Sequence, residues 1–191
     1  MPEVSTSTLI DVLKVIGMSD QPPIDSHNET EVRFLADAPQ DTLRLGTALA
    51  TILPPGSTVA LIGTLGAGKT KLVQAIAAAS GVPDGAVTSP TFVLCQPYTG
   101  TRTIYHLDAY RLKDEDEFLE LGPEEYFESD GLTLIEWADR VERCLPDERI
   151  EIRIDVTGEQ SRQFRIIPVG AGYQAILQPL QTMLESSVEL G

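Results

Sequence analysis

The chain has 191 residues, 42% of them hydrophobic and 23% charged, and a formal net charge of −15. That length is enough for one domain with a real core, and no apolar run approaches the roughly 20 residues of a membrane span. Unaided grip on DNA or RNA takes a basic stripe, and none is evident; acidic residues gather instead at 114–117 and at Glu124 and Glu125.

In chain order, residues 1–28 stand apart as an N-terminal extension, and 29–191 form one domain. A polar start at 5–8 and a Pro-broken stretch at 21–26 flank LIDVLKVI at 9–16, which fits a short amphipathic helix. The extension is expected to be flexible rather than catalytic. It is not expected to be a signal peptide, because Glu3 is acidic and Lys14 interrupts the apolar stretch. From residue 30 the pattern becomes regular. Residues 31–35 alternate like a strand, and 41–53 approximate a helical apolar face through Leu43, Leu45, Ala48, Leu49 and Ile52. A Pro-Pro-Gly turn leads into TVALI at 58–62, a short buried strand, and KLVQAIAAAS at 71–80 reads as a helix stopped by Gly81 and Pro83. Strands follow at 91–98 and 103–108, then a helical region at 114–127 broken at Gly122-Pro123. A further strand at 132–136 leads to a helix-like stretch at 138–144. Two alternating strands at 151–156 and 163–169 suggest a hairpin, and a helix at 174–184 closes the domain. The alternation of strands and helices predicts an α/β fold. It has a largely parallel central sheet flanked by helices, with an antiparallel part and a C-terminal hairpin. Cys95 and Cys144 lack metal or redox spacing and are expected to be reduced thiols of a cytoplasmic protein.

Between the strand at 58–62 and the helix that follows lies GTLGAGKT, residues 63–70, which matches G-x-x-x-x-G-K-[ST]. The glycines of such a loop let the backbone curl until successive N–H groups aim at phosphate oxygens. Lys69 then reaches the β- and γ-phosphates, and the Thr70 hydroxyl is a ligand for Mg²⁺. The expected contacts run through Gly63, Leu65, Gly66, Ala67, Gly68, Lys69, Thr70 and Lys71, with the helix N-terminus facing the phosphates. Hydrolysis also needs acidic groups near Mg²⁺ and water. Two apolar strands end in carboxylates, IYHLD at Asp108 and LTLIE at Glu136. In a parallel sheet, ligands gather beyond the C-terminal strand ends, so one carboxylate can hold Mg²⁺ while the other positions or deprotonates water. His106 shares a strand face with Asp108. Thr88, Ser89 and Thr91 offer hydroxyls in a Pro turn where many phosphate-loop proteins sense the γ-phosphate. Arg111 can neutralise phosphate or pair with the acidic run after it, and Trp137 is expected to pack beside Glu136. No N-K-x-D or T-K-x-D occurs, which favours ATP over GTP.

Taken together, GTLGAGKT at 63–70, SPTF at 89–92, YHLDAYR at 105–111 and EW at 136–137 occur in the order seen in the TsaE family. E-x-x-x-L-G at 117–122 is similar to that family too, and the resemblance covers about residues 30–169. TsaE is the ATPase of the bacterial pathway to threonylcarbamoyladenosine at tRNA position 37. The resemblance implies a phosphate-loop NTPase-like fold, ATP and ADP as ligands, Mg²⁺, and slow hydrolysis raised by partners. It also implies association with the TsaD–TsaB pair, with tRNA met only through that complex. Motif by motif, it implies that Lys69 and Thr70 serve phosphate and Mg²⁺. Asp108 becomes the Mg²⁺-associated acid, Glu136 the acid near water or metal, and Ser89 with Thr91 the switch-like segment. Two positions depart from the family pattern, Thr64 where it usually has Asp and Lys71 where it commonly has Thr. A small-molecule kinase would need an Arg-rich lid, which the scattered arginines do not suggest. A nucleotide-sensing module without useful catalysis is kept open by Thr64.

Overall fold

A computed structural model of the chain describes residues 30–90 and 94–186. The extension at 1–28 with its expected helix, and Thr91 at the start of an expected strand, lie outside those residues. Seven strands form one sheet in the order β1-β7-β6-β2-β5-β4-β3. They are β1 (Val32–Ala36), β2 (Thr58–Gly63), β3 (Cys95–Thr99), β4 (Thr103–Asp108), β5 (Leu132–Glu136), β6 (Arg149–Val156) and β7 (Arg162–Val169). The four central strands β6, β2, β5 and β4 run parallel. At the flanks, β3 joins β4 antiparallel, and β6, β7 and β1 are successively antiparallel. The expected parallel centre, antiparallel part and terminal hairpin are therefore all present.

Burial explains the strand compositions. The first four residues of β2 and all of β5 are buried, as near-continuous apolar runs in two-sided strands require. β7 instead alternates, with Phe164 and Ile166 buried between partly exposed neighbours. On one sheet face, Val59, Leu61, Ile152, Phe164 and Ile166 pack with α1 (Pro39–Ile52), α2 (Lys69–Ala79) and α5 (Leu177–Ser186). On the other, Ala60, Leu107 and Ile135 meet Phe118 of α3 (Glu115–Leu119) and the 3₁₀ segment Ala138–Cys144. A short α4 (Glu124–Phe127) follows the expected break at Gly122. This second layer covers the β2, β5 and β4 side of the sheet.

Boundaries shift where local chemistry overrides periodicity. α1 begins at Pro39 rather than 41, because Asp41 in its first turn accepts the backbone N–H groups of Asp37 and Ala38 at 3.0 Å each. Residues 138–144 form 3₁₀ turns with a kink at Val141. Among the described residues the expected strand at 91–98 runs as Cys95–Thr99 and so ends one residue later.

Candidate nucleotide-binding site

The parallel register brings three strand ends together. Leu61 of β2 pairs with Glu136 of β5, and Glu136 pairs with Asp108 of β4. Gly63 therefore enters the loop beside both carboxylates. Gly66 and Gly68 adopt φ values of +78° and +107°, the left-handed region that side chains disfavour. A Cβ at either position would meet none of the described residues within 4 Å, which leaves room above the loop. α2 starts at Lys69, inside the motif and two residues earlier than periodicity alone suggests, with Gly68 as its N-cap. Its first N–H groups lack intrahelical partners and suit an anion.

Lys69 is 4% exposed. Its ammonium donates to the carbonyls of Gly63 at 2.7 Å and Thr64 at 3.0 Å, and it sits 3.6 Å from the centre of the Trp137 ring. Burial lowers the Lys69 pKa, while Glu136, Asp108 and Asp139 pull the other way by favouring its charge.

The carboxylates are held by different donors. Asp108 accepts the Ser89 hydroxyl at 3.0 Å on one oxygen and the Tyr110 N–H at 2.9 Å on the other. Glu136 lies 2.9 Å from Nε2 of the fully buried His106. With the imidazole proton on Nε2, His106 donates to this carboxylate oxygen. His106 thus orients Glu136 rather than touching Asp108. A cleft of about 340 Å³ unites Leu65, Gly66, Gly68, Lys69, Thr70 and Lys71 with Ser89, Asp108, Glu136, Tyr110 and Trp137. Gly63 lies at its base and Ala67 is buried beneath the loop. Every expected site residue among those described is therefore at the loop or in this cleft.

Two residues and one cavity exceed what the sequence suggested. Trp137 was expected only to pack. It does pack against the core beneath the second layer, and it also takes a left-handed backbone (φ +59°) that places its ring over Lys69 and tilted by 39° against Tyr110 at 4.8 Å. Its position next to Glu136 was the available signal. Arg162 braces the loop from behind, donating to Ala67 O at 3.0 Å and Gly66 O at 3.4 Å; no local motif announces that contact. A second cleft of about 560 Å³ adjoins the first through Gly66, Gly68 and Lys71, and is walled by Leu43, Gln160 and Phe164.

A family model described as "Threonylcarbamoyl adenosine biosynthesis protein TsaE" matches residues 36–164. This chain belongs to the TsaE family. The tRNA threonylcarbamoyladenosine biosynthesis protein TsaE of Bacillus subtilis (strain 168) is 37% identical over 143 residues, 74% of this chain and 89% of the relative. Its counterpart from Nostoc sp. is 40% identical over 154 residues, 78% of this chain and 91% of the relative. The crystal structure of YdiB from Bacillus subtilis superposes with a TM-score of 0.64 at 29% identity, over 83% of this chain and 96% of that one. These matches place the chain in threonylcarbamoyladenosine biosynthesis and confirm its TsaE fold.

The donor set fits Mg²⁺ chemically. Thr70 and the two carboxylates offer hard oxygens, and Mg²⁺ usually takes its remaining ligands from phosphate and water. Among the described residues no three His, Cys, Asp or Glu side chains cluster as a self-contained metal site.

Proposed function

We propose that this TsaE-family chain binds ATP with Mg²⁺ at residues 63–71 and hydrolyses it in support of the TsaD–TsaB machinery. The observation that carries the reading is the meeting of Lys69, the Ser89–Asp108 pair and the His106–Glu136 pair at the N-terminus of α2. In this reading the triphosphate lies over the curled loop, and Lys69 exchanges its backbone carbonyl partners for phosphate oxygens. Thr70 and Asp108 would hold Mg²⁺, which supplies positive charge at the phosphates when bound. Glu136, fixed by His106, is left with one carboxylate oxygen to orient or deprotonate water. Ser89 is tied to Asp108, so the segment through Thr91 can respond to what occupies the phosphate end. The nucleoside end extends into the adjoining cleft between Leu43 and Phe164, where apolar walls suit a base.

Association with TsaD and TsaB, and contact with tRNA only through them, agrees with the charge of −15 and with the family assignment. No described helix is long and apolar enough to cross a membrane; a cytoplasmic setting is part of the proposal. The test is ATP hydrolysis by the purified chain, alone and with matched TsaD and TsaB. Turnover stimulated by the pair and lost in Lys69→Ala is expected. ATP binding and complex formation without any hydrolysis would instead favour a nucleotide-sensing module, with Thr64 the first residue to exchange.

A further inference from the structure

Among the described residues, the second layer leaves part of the sheet uncovered. Among the described residues no helix lies on the outward face of β1, β7 and the C-terminal half of β6. On that face Arg33, Arg165 and Arg153 are directly paired across three neighbouring strands, so their side chains stand side by side in one row. The row runs on to Ile62 of β2, the residue before Gly63. Arg149 shares the face through the alternation of β6. Four of the chain's 14 basic residues are thus gathered here, although the chain as a whole carries −15.

Like charges directly opposite one another on adjacent strands are destabilising, and local carboxylates offset this row unevenly. Arg33 meets Glu31 at 2.6 Å, and Glu151 is shared by Arg149 at 2.7 Å and Arg153 at 2.9 Å. Arg165, in the middle, has Asp155 at 3.7 Å. The Arg33, Arg153 and Arg165 side chains are 67%, 43% and 35% exposed, and the Nε groups of Arg149 and Arg153 make no hydrogen bond among the described residues. Leu35, 52% exposed, stands beside the row.

We propose that this face docks a protein partner through an acidic edge, with carboxylates meeting Arg33, Arg165 and Arg153 and an apolar contact covering Leu35. Charge complementarity selects the partner. A row of guanidiniums kept at a cost in self-repulsion gains most from carboxylates, which they grip in bidentate fashion. The interleaved Glu31, Glu151 and Asp155, and the charge of the whole chain, oppose a continuous phosphate backbone. A folded partner can place its carboxylates singly. The same β7 strand carries Arg165 on this face and Arg162 against the phosphate loop, so a partner seated here rests on the strand that braces the loop. The inference rests on the reading that TsaD and TsaB are the partners.

Calorimetric titration of the full-length chain with the purified TsaD–TsaB pair tests it, comparing wild type, Arg165→Glu and Arg143→Glu. Arg143 is an exposed arginine on the 3₁₀ segment and controls for net charge. Arg165→Glu is expected to weaken binding at least tenfold and Arg143→Glu less than twofold. The new carboxylate would lie between Arg33 and Arg153 while losing Asp155 as a partner, so the two effects oppose each other and a melting temperature close to that of wild type is expected. Binding of Arg165→Glu equal to a wild type that does bind would sink the docking face while leaving the partners in place. No binding by wild type would sink the partner reading and the docking face with it. Two further outcomes also overturn the assignment. One is unmodified tRNA that binds the wild-type chain alone and is lost in Arg165→Glu, which would make the face a nucleic-acid surface. The other is a homodimer in sedimentation that Arg165→Glu dissolves, which would make the occupant a second copy.

Discussion

Asp108 and Glu136 face each other on adjacent strands, yet their hydrogen bonds prepare them for different work. Asp108 spends both oxygens on Ser89 and the Tyr110 backbone, whereas Glu136 spends one on His106. A carboxylate positioned for water matters more to the reaction than to ground-state binding. Glu136→Gln is therefore expected to lower turnover by about 100-fold or more, within the range of a general base, with ATP affinity within about threefold of wild type. Single-turnover hydrolysis alongside equilibrium binding separates the two quantities, and a collapse of affinity would assign Glu136 to Mg²⁺ instead. At this scale the sequence was most legible where chemistry is local. Lys69 and Thr70 follow from the spacing of the loop, and both carboxylates from their place at the ends of apolar strands. Two features stayed hidden. His106 reaches Glu136 rather than its own strand neighbour Asp108 because the β4–β5 register sets a diagonal contact. Trp137 turns over Lys69 through a left-handed backbone that no periodicity encodes.

Elements position the loop from two sides. α1 crosses α2 at Gly46, where a Cβ would come within 2.9 Å of the Ile76 nitrogen and also fall on the Ala75 side chain. Backbone cannot yield as a flexible side chain does. Gly46→Ala is expected to cost about 1–3 kcal/mol by overpacking, even after a gain of up to ~1 kcal/mol in helix propensity. Chemical denaturation would show this, and an unchanged midpoint would mean that the helices slide apart freely. From the opposite side the β6–β7 hairpin delivers Arg162. Its guanidinium also holds the hairpin turn through the carbonyls of Gly158 and Ser161, so one side chain ties turn to loop. Arg162→Ala should weaken ATP binding by roughly tenfold, the scale of one charge-assisted hydrogen bond, while far-ultraviolet circular dichroism stays at the wild-type level. The hairpin itself was visible in the alternating residues of β6 and β7. Its reach to the loop was not, because the contact spans 95 positions and leaves no local pattern.

For the whole molecule, the charge of −15 is distributed rather than uniform. Glu151 is 6% exposed. Burial raises its pKa, but the hydrogen bonds and charges of Arg149 and Arg153 more than reverse this, leaving it below the ordinary carboxylate value. A carboxylate depressed in the folded state stabilises it above the unfolded pKa, and the contribution disappears as pH falls through the folded one. The stability gap between wild type and Glu151→Gln should therefore be full at neutral pH and shrink below about pH 4.3. Urea midpoints across that range check it, and a gap growing on acidification would reverse the sign of the coupling. The sequence disclosed the parallel centre and the antiparallel flank. It did not disclose the strand order, and so could not show that Arg33, Arg165 and Arg153 share a row. The covalent neighbourhood of each arginine is unremarkable; only register aligns them. Trp137 has a consequence at this scale as well. It is the only tryptophan in the chain, and its ring lies against the Lys69 ammonium. Indole emission from the entire protein therefore originates in the cleft beside the loop, giving the native sequence a built-in optical gauge of whatever displaces that lysine.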